Sequence, residues 1–220
     1  AIASAAADLG IKSLTLYAFS TENWSRPEKE VSTLLKLLDK YIVKEKERFI
    51  RENIRFKVIG ELETIPVNTR KKIEELQNIT ADNSRIDLIF AFSYGGRREI
   101  ISSVNRFIEN NPGEKLSEEK FTRFLFDPYI KDIDLLIRTG GDQRVSNFLL
   151  WQIAYAELIF TDTQWPDFSK EEFTAIIKKV SGHERRFGTV DINATYEKSV
   201  SLAEDGKRSM QKIVGSERNE

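Results

Sequence analysis

Blocks of apolar and polar positions follow one another along the chain, and their period changes from block to block. AIASAAADLG (1–10) is small and apolar at helical spacing and stops on Gly10, which reads as the second half of a helix. KSLTLYAFS, Lys12 to Ser20, is β-branched, aromatic and leucine-rich and predicts a strand, followed by the polar stretch TENWSRPEKE. Val31, Leu34, Leu35, Leu38, Ile42 and Phe49 recur at helical spacing and predict an amphipathic helix over 28–53 with one buried face. IRFKVIG (54–60) predicts a strand and 69–76 a helix. RIDLIFAFSYGG (85–96) predicts a strand ending in glycines, with a helix behind it through Phe107. NNPGEK is a loop, and Ser117 before Glu118 and Glu119 has the form of a helix start, a capping residue with acids in the first turn. DIDLLIRTGG (132–141) predicts a near-continuous apolar strand, 146–155 a helix, AELIFTD a strand, TQWPDF a turn and 170–180 a last helix.

Strands that are apolar throughout, alternating with helices, imply a parallel sheet covered on both faces. The expected fold is therefore α/β, a single domain with a central, mostly parallel β-sheet flanked by helices, and ligands in such folds bind beyond the carboxyl ends of the strands. Residues 1–190 are expected to form the folded domain and 191–220 a C-terminal helix and polar tail, partly mobile.

Charge changes little in this picture. A net charge of -1 over 220 residues predicts neither nucleic acid nor an anionic membrane as a bulk partner, so anion recognition must come from local arginines. The absence of cysteine excludes disulfides and thiolate metal sites and is compatible with a reducing cytoplasm. The single histidine, His183, excludes a histidine-rich metal site. The longest apolar run, 148–160, is broken by Gln152 and Glu157 and is too short to cross a bilayer.

Three loops that follow strands carry candidate chemistry. FSTENWSRP places Ser20, Thr21, Glu22, Asn23, Trp24 and Arg26 together, with hydroxyls, an amide and a guanidinium able to bond phosphate oxygens, or else with Trp24 merely packing in a capped loop. IRTGGDQRVSNF sets Arg138, Arg144 and Ser146 around Gly140 and Gly141, with the N-terminus of the helix predicted at 146 adding positive potential. That pattern favours anion binding over a plain turn with surface arginines. SYGGRRE (93–99) has glycines before arginines, read equally as helix capping or ligand contact. Glu157 among apolar neighbours needs a cationic partner, for which an arginine is commoner than a metal. HERRFG (183–188) is a further basic run, ordinarily a solvated helix end.

LTLYAFSTENWSRP, IRTGGDQRVSNFLLWQIAYAELIFTDTQWPDF and ERRFG, in this order, closely resemble the motifs of the cis-prenyltransferase family, above all its bacterial undecaprenyl diphosphate synthases. The resemblance spans about residues 10–188. It implies a cytoplasmic, Mg²⁺-dependent homodimer with a hydrophobic tunnel. The implied reaction adds isopentenyl diphosphate repeatedly to an allylic starter such as farnesyl diphosphate, with cis geometry. The polyprenyl diphosphate would serve as a lipid carrier for cell-wall glycans, with transient membrane-surface contact on release. It further implies that Ser20, Thr21, Glu22, Asn23, Trp24 and Arg26 border the active site, with Asn23 taking part at proton removal. Arg138, Arg144, Val145 and Ser146 would hold isopentenyl diphosphate, Glu157 would join Mg²⁺ binding, and Arg186 and Gly188 would reach substrate across the dimer.

Two departures stand out. Asp142-Gln143 occupies a place where related sequences often carry glutamate and histidine. The family's aspartate loop, which binds Mg²⁺ and the allylic diphosphate, lies upstream of Ala1. On that basis the 220 residues alone are expected to be catalytically weak, and the alternative reading is an inactive accessory subunit or truncated form of the same fold. A generic nucleotide-binding domain is disfavoured because no G-x-G-x-x-G or P-loop string follows a strand.

Overall fold

The structure, a computed structural model, describes residues 1–130 and 132–181. Its elements run α1 (Ile2–Asp8), β1 (Ser13–Ser20), a 3₁₀ turn (Thr21–Ser25), α2 (Glu28–Arg51), β2 (Ile54–Ile59), α3 (Val67–Ile79) and β3 (Ile86–Tyr94). They continue α4 (Gly96–Asn110), α5 (Glu118–Thr122), β4 (Leu135–Arg138), β5 (Glu157–Phe160) and α6 (Lys170–Val180). Every described strand pairing is parallel, as the strand composition predicts. The pairings form a three-stranded sheet ordered β1-β3-β2 and a two-stranded pair β4-β5.

β3 is the hub, and apart from Asp87 and Ser93 it is apolar because it is buried on both faces. Ile86, Leu88 and Phe92 join Phe49, Ile54, Phe56, Ile73 and Leu76 in the larger core, which α2 and α3 cover. Ile89, Ala91 and Tyr94 join Ile59, Ile130 and Leu149 in the second. Odd and even positions of β3 therefore part company, until Ser93 adopts φ 51° and turns Tyr94 onto the opposite face from the one its parity would give. At the same level β1 slips register between Tyr17 and Phe19. Such irregularities re-aim side chains at strand ends. Here they set Tyr17 and Tyr94 edge to face, 6.0 Å apart, with the Tyr17 hydroxyl donating to the Tyr94 carbonyl at 3.1 Å.

The predicted face of α2 is the buried one: Val31, Leu38, Ile42 and Phe49 are buried, and Leu34 and Leu35 pack against the same core. Gly10 ends the first helix with φ 76°, and Ser117 and Ser169 cap α5 and α6 through their side chains. α3 is longer than its apolar pattern indicates, and β4 is cut to four residues.

One element is a correction. Residues 146–155 form consecutive turns, not a helix. Ser146, Asn147 and Leu149 have φ of 47°, 62° and 45°, left-handed values that no right-handed helix can contain. Leu149 is thereby buried in the second core, and the Asn147 carbonyl turns toward α4 to accept from Gly96 N–H at 2.7 Å. The C-terminal tail expected over 191–220 lies outside the described residues.

Candidate active site

The loop after β4 is built around one guanidinium. Gly140 and Gly141, with φ of 91° and 83°, turn the chain back on itself, and their N–H groups donate to Thr163 O at 2.9 Å and Thr161 O at 3.0 Å. That ties the loop to the end of β5 and leaves its outer side to Arg138. Arg138 Nη1 donates to the Ser146 hydroxyl at 2.5 Å and to the Arg144 carbonyl at 2.7 Å. Its Nη2 donates to Asp142 Oδ2 at 2.7 Å, and Arg144 Nη2 donates to that same oxygen at 2.6 Å. Two guanidiniums and a serine hydroxyl thus converge on one place, and the anion between the guanidiniums is the chain's own carboxylate.

Beside Ser146 opens a cavity of about 470 Å³ lined by Tyr17, Ala18, Phe19, Ser20, Glu22, Asn23, Ser146 and Asn147. It joins the loops after β1 and β4. In the first of them Asn23 accepts from Ser20 N–H at 2.9 Å, which closes the 3₁₀ turn and commits the amide oxygen. Trp24 stands edge to face with Phe19, ring centroids 5.1 Å apart, and donates from Nε1 to the Ser93 hydroxyl at 2.8 Å, so it packs and anchors. Arg26 points along α2 to Glu30 at 2.7 Å. Thr21 stands against Gly95, where an added Cβ would come within 2.7 Å of its hydroxyl.

Asn147, which sequence reasoning passed over, joins all three loops. Its Nδ2 donates to Glu22 at 2.9 Å, its Oδ1 accepts from Arg97 N–H at 2.9 Å, and its carbonyl accepts from Gly96. No helix starts at 146 to supply the positive potential expected there, and the first N–H groups of α4 are taken up by Asn147. The glycines of SYGG are therefore packing glycines: a Cβ on Gly96 would lie 3.1 Å from the Asn147 carbonyl and 2.8 Å from Leu150. Partial burial pushes the Glu22 carboxyl up. Hydrogen bonds from its own backbone N–H, Asn147, Ser20 and Thr21 outweigh this and bring it below the usual carboxylate range.

Behind the cavity Tyr17 stacks on Phe148 at 4.5 Å, and burial together with the Glu22 charge pushes its phenol up to about 12. Deeper still, the buried Glu99 accepts from Tyr94 Oη at 2.5 Å, Phe126 N–H at 3.1 Å and Gln152 Nε2 at 3.2 Å. Three donors around one carboxylate offset its desolvation and tie β3, α4 and the 146–155 turns together.

Residues 1–188 match the family model described as "Putative undecaprenyl diphosphate synthase". The chain belongs to this family. A relative from Fusobacterium nucleatum that bears the name isoprenyl transferase is 49% identical, over 83% of this chain and 79% of its own length. The Micrococcus luteus ditrans,polycis-undecaprenyl-diphosphate synthase ((2E,6E)-farnesyl-diphosphate specific) is 44% identical, over 83% of this chain and 76% of its own. Among solved structures, a probable undecaprenyl diphosphate synthase from Campylobacter jejuni superposes with a TM-score of 0.79 at 39% identity, covering 85% of this chain and 88% of that one.

Within this undecaprenyl diphosphate synthase family member, the structure brings Ser20, Glu22, Asn23 and Ser146 to one cavity, joins Arg138 to it through Ser146, and links Arg144 to Arg138 through Asp142. Val145 serves the loop through its carbonyl, which accepts from Phe148 N–H at 3.1 Å. Glu157 heads β5 opposite Leu135, three register positions from Arg138, or roughly 10 Å along the strands. Among the described residues no three acidic or histidine side chains cluster to hold a metal. The Glu157 carboxylate is a hard oxygen donor by its chemistry. That suits a Mg²⁺ shared with substrate phosphates and water, rather than one caged by protein. Arg186 and Gly188 lie outside the described residues.

Proposed function

We propose that this chain is a cis-prenyltransferase that condenses isopentenyl diphosphate onto an allylic diphosphate such as farnesyl diphosphate. Its product is a long polyprenyl diphosphate of the undecaprenyl type, the lipid carrier of cell-wall glycan synthesis. Family membership supports the reaction class. The observation that carries the assignment of the site is the convergence of Arg138 and Arg144 on a single anionic oxygen beside the Ser146 hydroxyl. An accessory subunit without catalysis would have no use for that convergence.

In the reaction the isopentenyl double bond attacks the allylic carbon. The carbon–oxygen bond breaks with its electron pair leaving on pyrophosphate, and a proton is lost from the isopentenyl unit. Arg138, Arg144 and Ser146 fix the isopentenyl diphosphate by charge-assisted hydrogen bonds, holding its double bond in place while charge develops elsewhere. Asn23 positions the reacting segment. A neutral amide is a poor base, and its oxygen already accepts from Ser20. Ser20 and Glu22 line the cavity, on a loop that Thr21 and Trp24 hold in place, and Tyr17, backed by Phe148, and Phe19 give the apolar wall against which a prenyl chain gains about 0.8 kcal/mol per buried methylene.

When bound, Mg²⁺ supplies charge neutralisation at the leaving diphosphate. Glu157 would hold it, Arg26 would border the active site, and Arg186 and Gly188 would reach substrate across the homodimer. We read the enzyme as cytoplasmic, touching the membrane surface on product release; separately, no helix of the described residues is long and apolar enough to cross a membrane.

The test is steady-state kinetics with farnesyl and isopentenyl diphosphates and Mg²⁺, products identified by mass. Arg138→Ala and Arg144→Ala are each expected to raise KM for isopentenyl diphosphate at least tenfold and to leave KM for farnesyl diphosphate within threefold. Unchanged isopentenyl diphosphate KM in both variants would remove the site assignment.

A further inference from the structure

The anion that Arg138 and Arg144 share belongs to the chain itself, and an arriving ligand must contend with it for the place between them. Arg138 Nη1 carries two hydrogens, and both are spent, on Ser146 Oγ and the Arg144 carbonyl. Its Nη2 serves Asp142, as does Nη2 of Arg144. A diphosphate bridging the two guanidiniums would sit where Asp142 Oδ2 now stands between their Nη2 atoms, and a carboxylate left in place would face the ligand as a like charge.

Displacement is easy. The Asp142 and Arg144 side chains are 44% and 65% exposed, so the carboxylate swings into water at small cost, as exposed ion pairs do. Until then it has a use: Gly140 and Gly141 bring no side chains to the turn, and Asp142 is the contact that keeps two like-charged guanidiniums aimed at one point.

We infer that Asp142 is a built-in competitor for the diphosphate seat, holding Arg138 and Arg144 convergent in the empty site and returning to them to hasten release. The inference rests on the proposed reading of this loop as the isopentenyl diphosphate seat. It matters for repeated addition. After each condensation the diphosphate brought by isopentenyl diphosphate stays on the elongated product, and the seat must be vacated before the next unit binds. A tethered carboxylate competing for the same place speeds that exchange.

Isothermal titration of the full chain with inorganic pyrophosphate and with isopentenyl diphosphate, at low ionic strength, tests this. Asp142→Asn is expected to bind both at least fivefold more tightly than wild type, whereas Asp142→Glu, which keeps the competing charge, stays within twofold. In turnover, Asp142→Asn should lower KM for isopentenyl diphosphate and also lower kcat, a split that a merely structural role does not produce. Should Asp142→Asn fold poorly, Asp142→Ser reads out the same loss of charge. Equal or weaker binding by the neutral variants, with Arg144→Ala still weakening binding, overturns the competitor role and leaves the seat standing. Arg144→Ala and Arg138→Ala variants that bind as wild type does remove the seat, and the competitor with it.

Discussion

Asn147 shows how much one side chain can organise. It sits at φ 62°, tolerable for asparagine and strained for most residues, and uses its amide and carbonyl to connect Glu22, Gly96 and Arg97 from two other loops. Removing the amide leaves the Arg97 N–H without its acceptor and the Glu22 carboxylate without one donor, and keeps the unfavourable φ. Asn147→Ala is therefore expected to cost about 2–4 kcal/mol in stability. It should also raise KM for isopentenyl diphosphate several-fold, since Ser146 is the preceding residue. Chemical denaturation and kinetics on the same variant check both. A loss below about 0.5 kcal/mol, typical of an inconsequential surface position, contradicts the bridging role.

At the scale of elements, α6 shows local rules and tertiary contact agreeing. Ser169 caps it by accepting from Glu172 N–H at 3.0 Å, Glu171 and Glu172 sit in the first turn, and Lys178 and Lys179 in the last. The Glu172 carboxylate then reaches across to Thr161 at 2.7 Å and Thr163 at 3.2 Å, binding the helix to the segment that closes the glycine turn. Ser169→Ala should lower stability by about 1 kcal/mol, and thermal unfolding should show a midpoint roughly 2–4 °C lower. An unchanged midpoint contradicts the cap. This helix, α2 and the strands were legible in the sequence because burial imposes a period or a continuous run, and caps announce their ends. The stretch 146–155 was not. LLWQIAYA has the apolar density of a buried helix, and what turns it aside is the pull of Gly96 and Arg97 N–H on Asn147, a contact about fifty residues away in sequence. For the same reason Arg138, Arg144 and Ser146 could be named in advance as a group, being near neighbours in the chain. Asn147 and Tyr17, brought to the cavity by distant contacts, could not.

Across the whole molecule, the register slip in β1 and the turn at Ser93 set two tyrosines edge to face at the strand ends, Tyr17 lining the cavity and Tyr94 buried behind it. Burial and the Glu22 charge raise Tyr17 from 10.0 to about 12, and burial with the Glu99 charge raises Tyr94 further. Below pH 10 both phenols are protonated whether folded or unfolded, and their contribution is constant. Above it the unfolded chain gives up protons first, so stability falls as pH rises from about 10 through 12. The urea midpoint should drop over that window, and Tyr17→Phe should flatten part of the drop. Superimposable wild-type and variant curves contradict the burial of Tyr17. The proposed mechanism depends most on the diphosphate seat, and the direct measurement is a crystal structure of the protein with isopentenyl diphosphate. It should show diphosphate oxygens within about 3 Å of the Arg138 and Arg144 guanidiniums and the Ser146 hydroxyl, with Asp142 turned away. Diphosphate density elsewhere, with Asp142 still bridging both arginines, would contradict it.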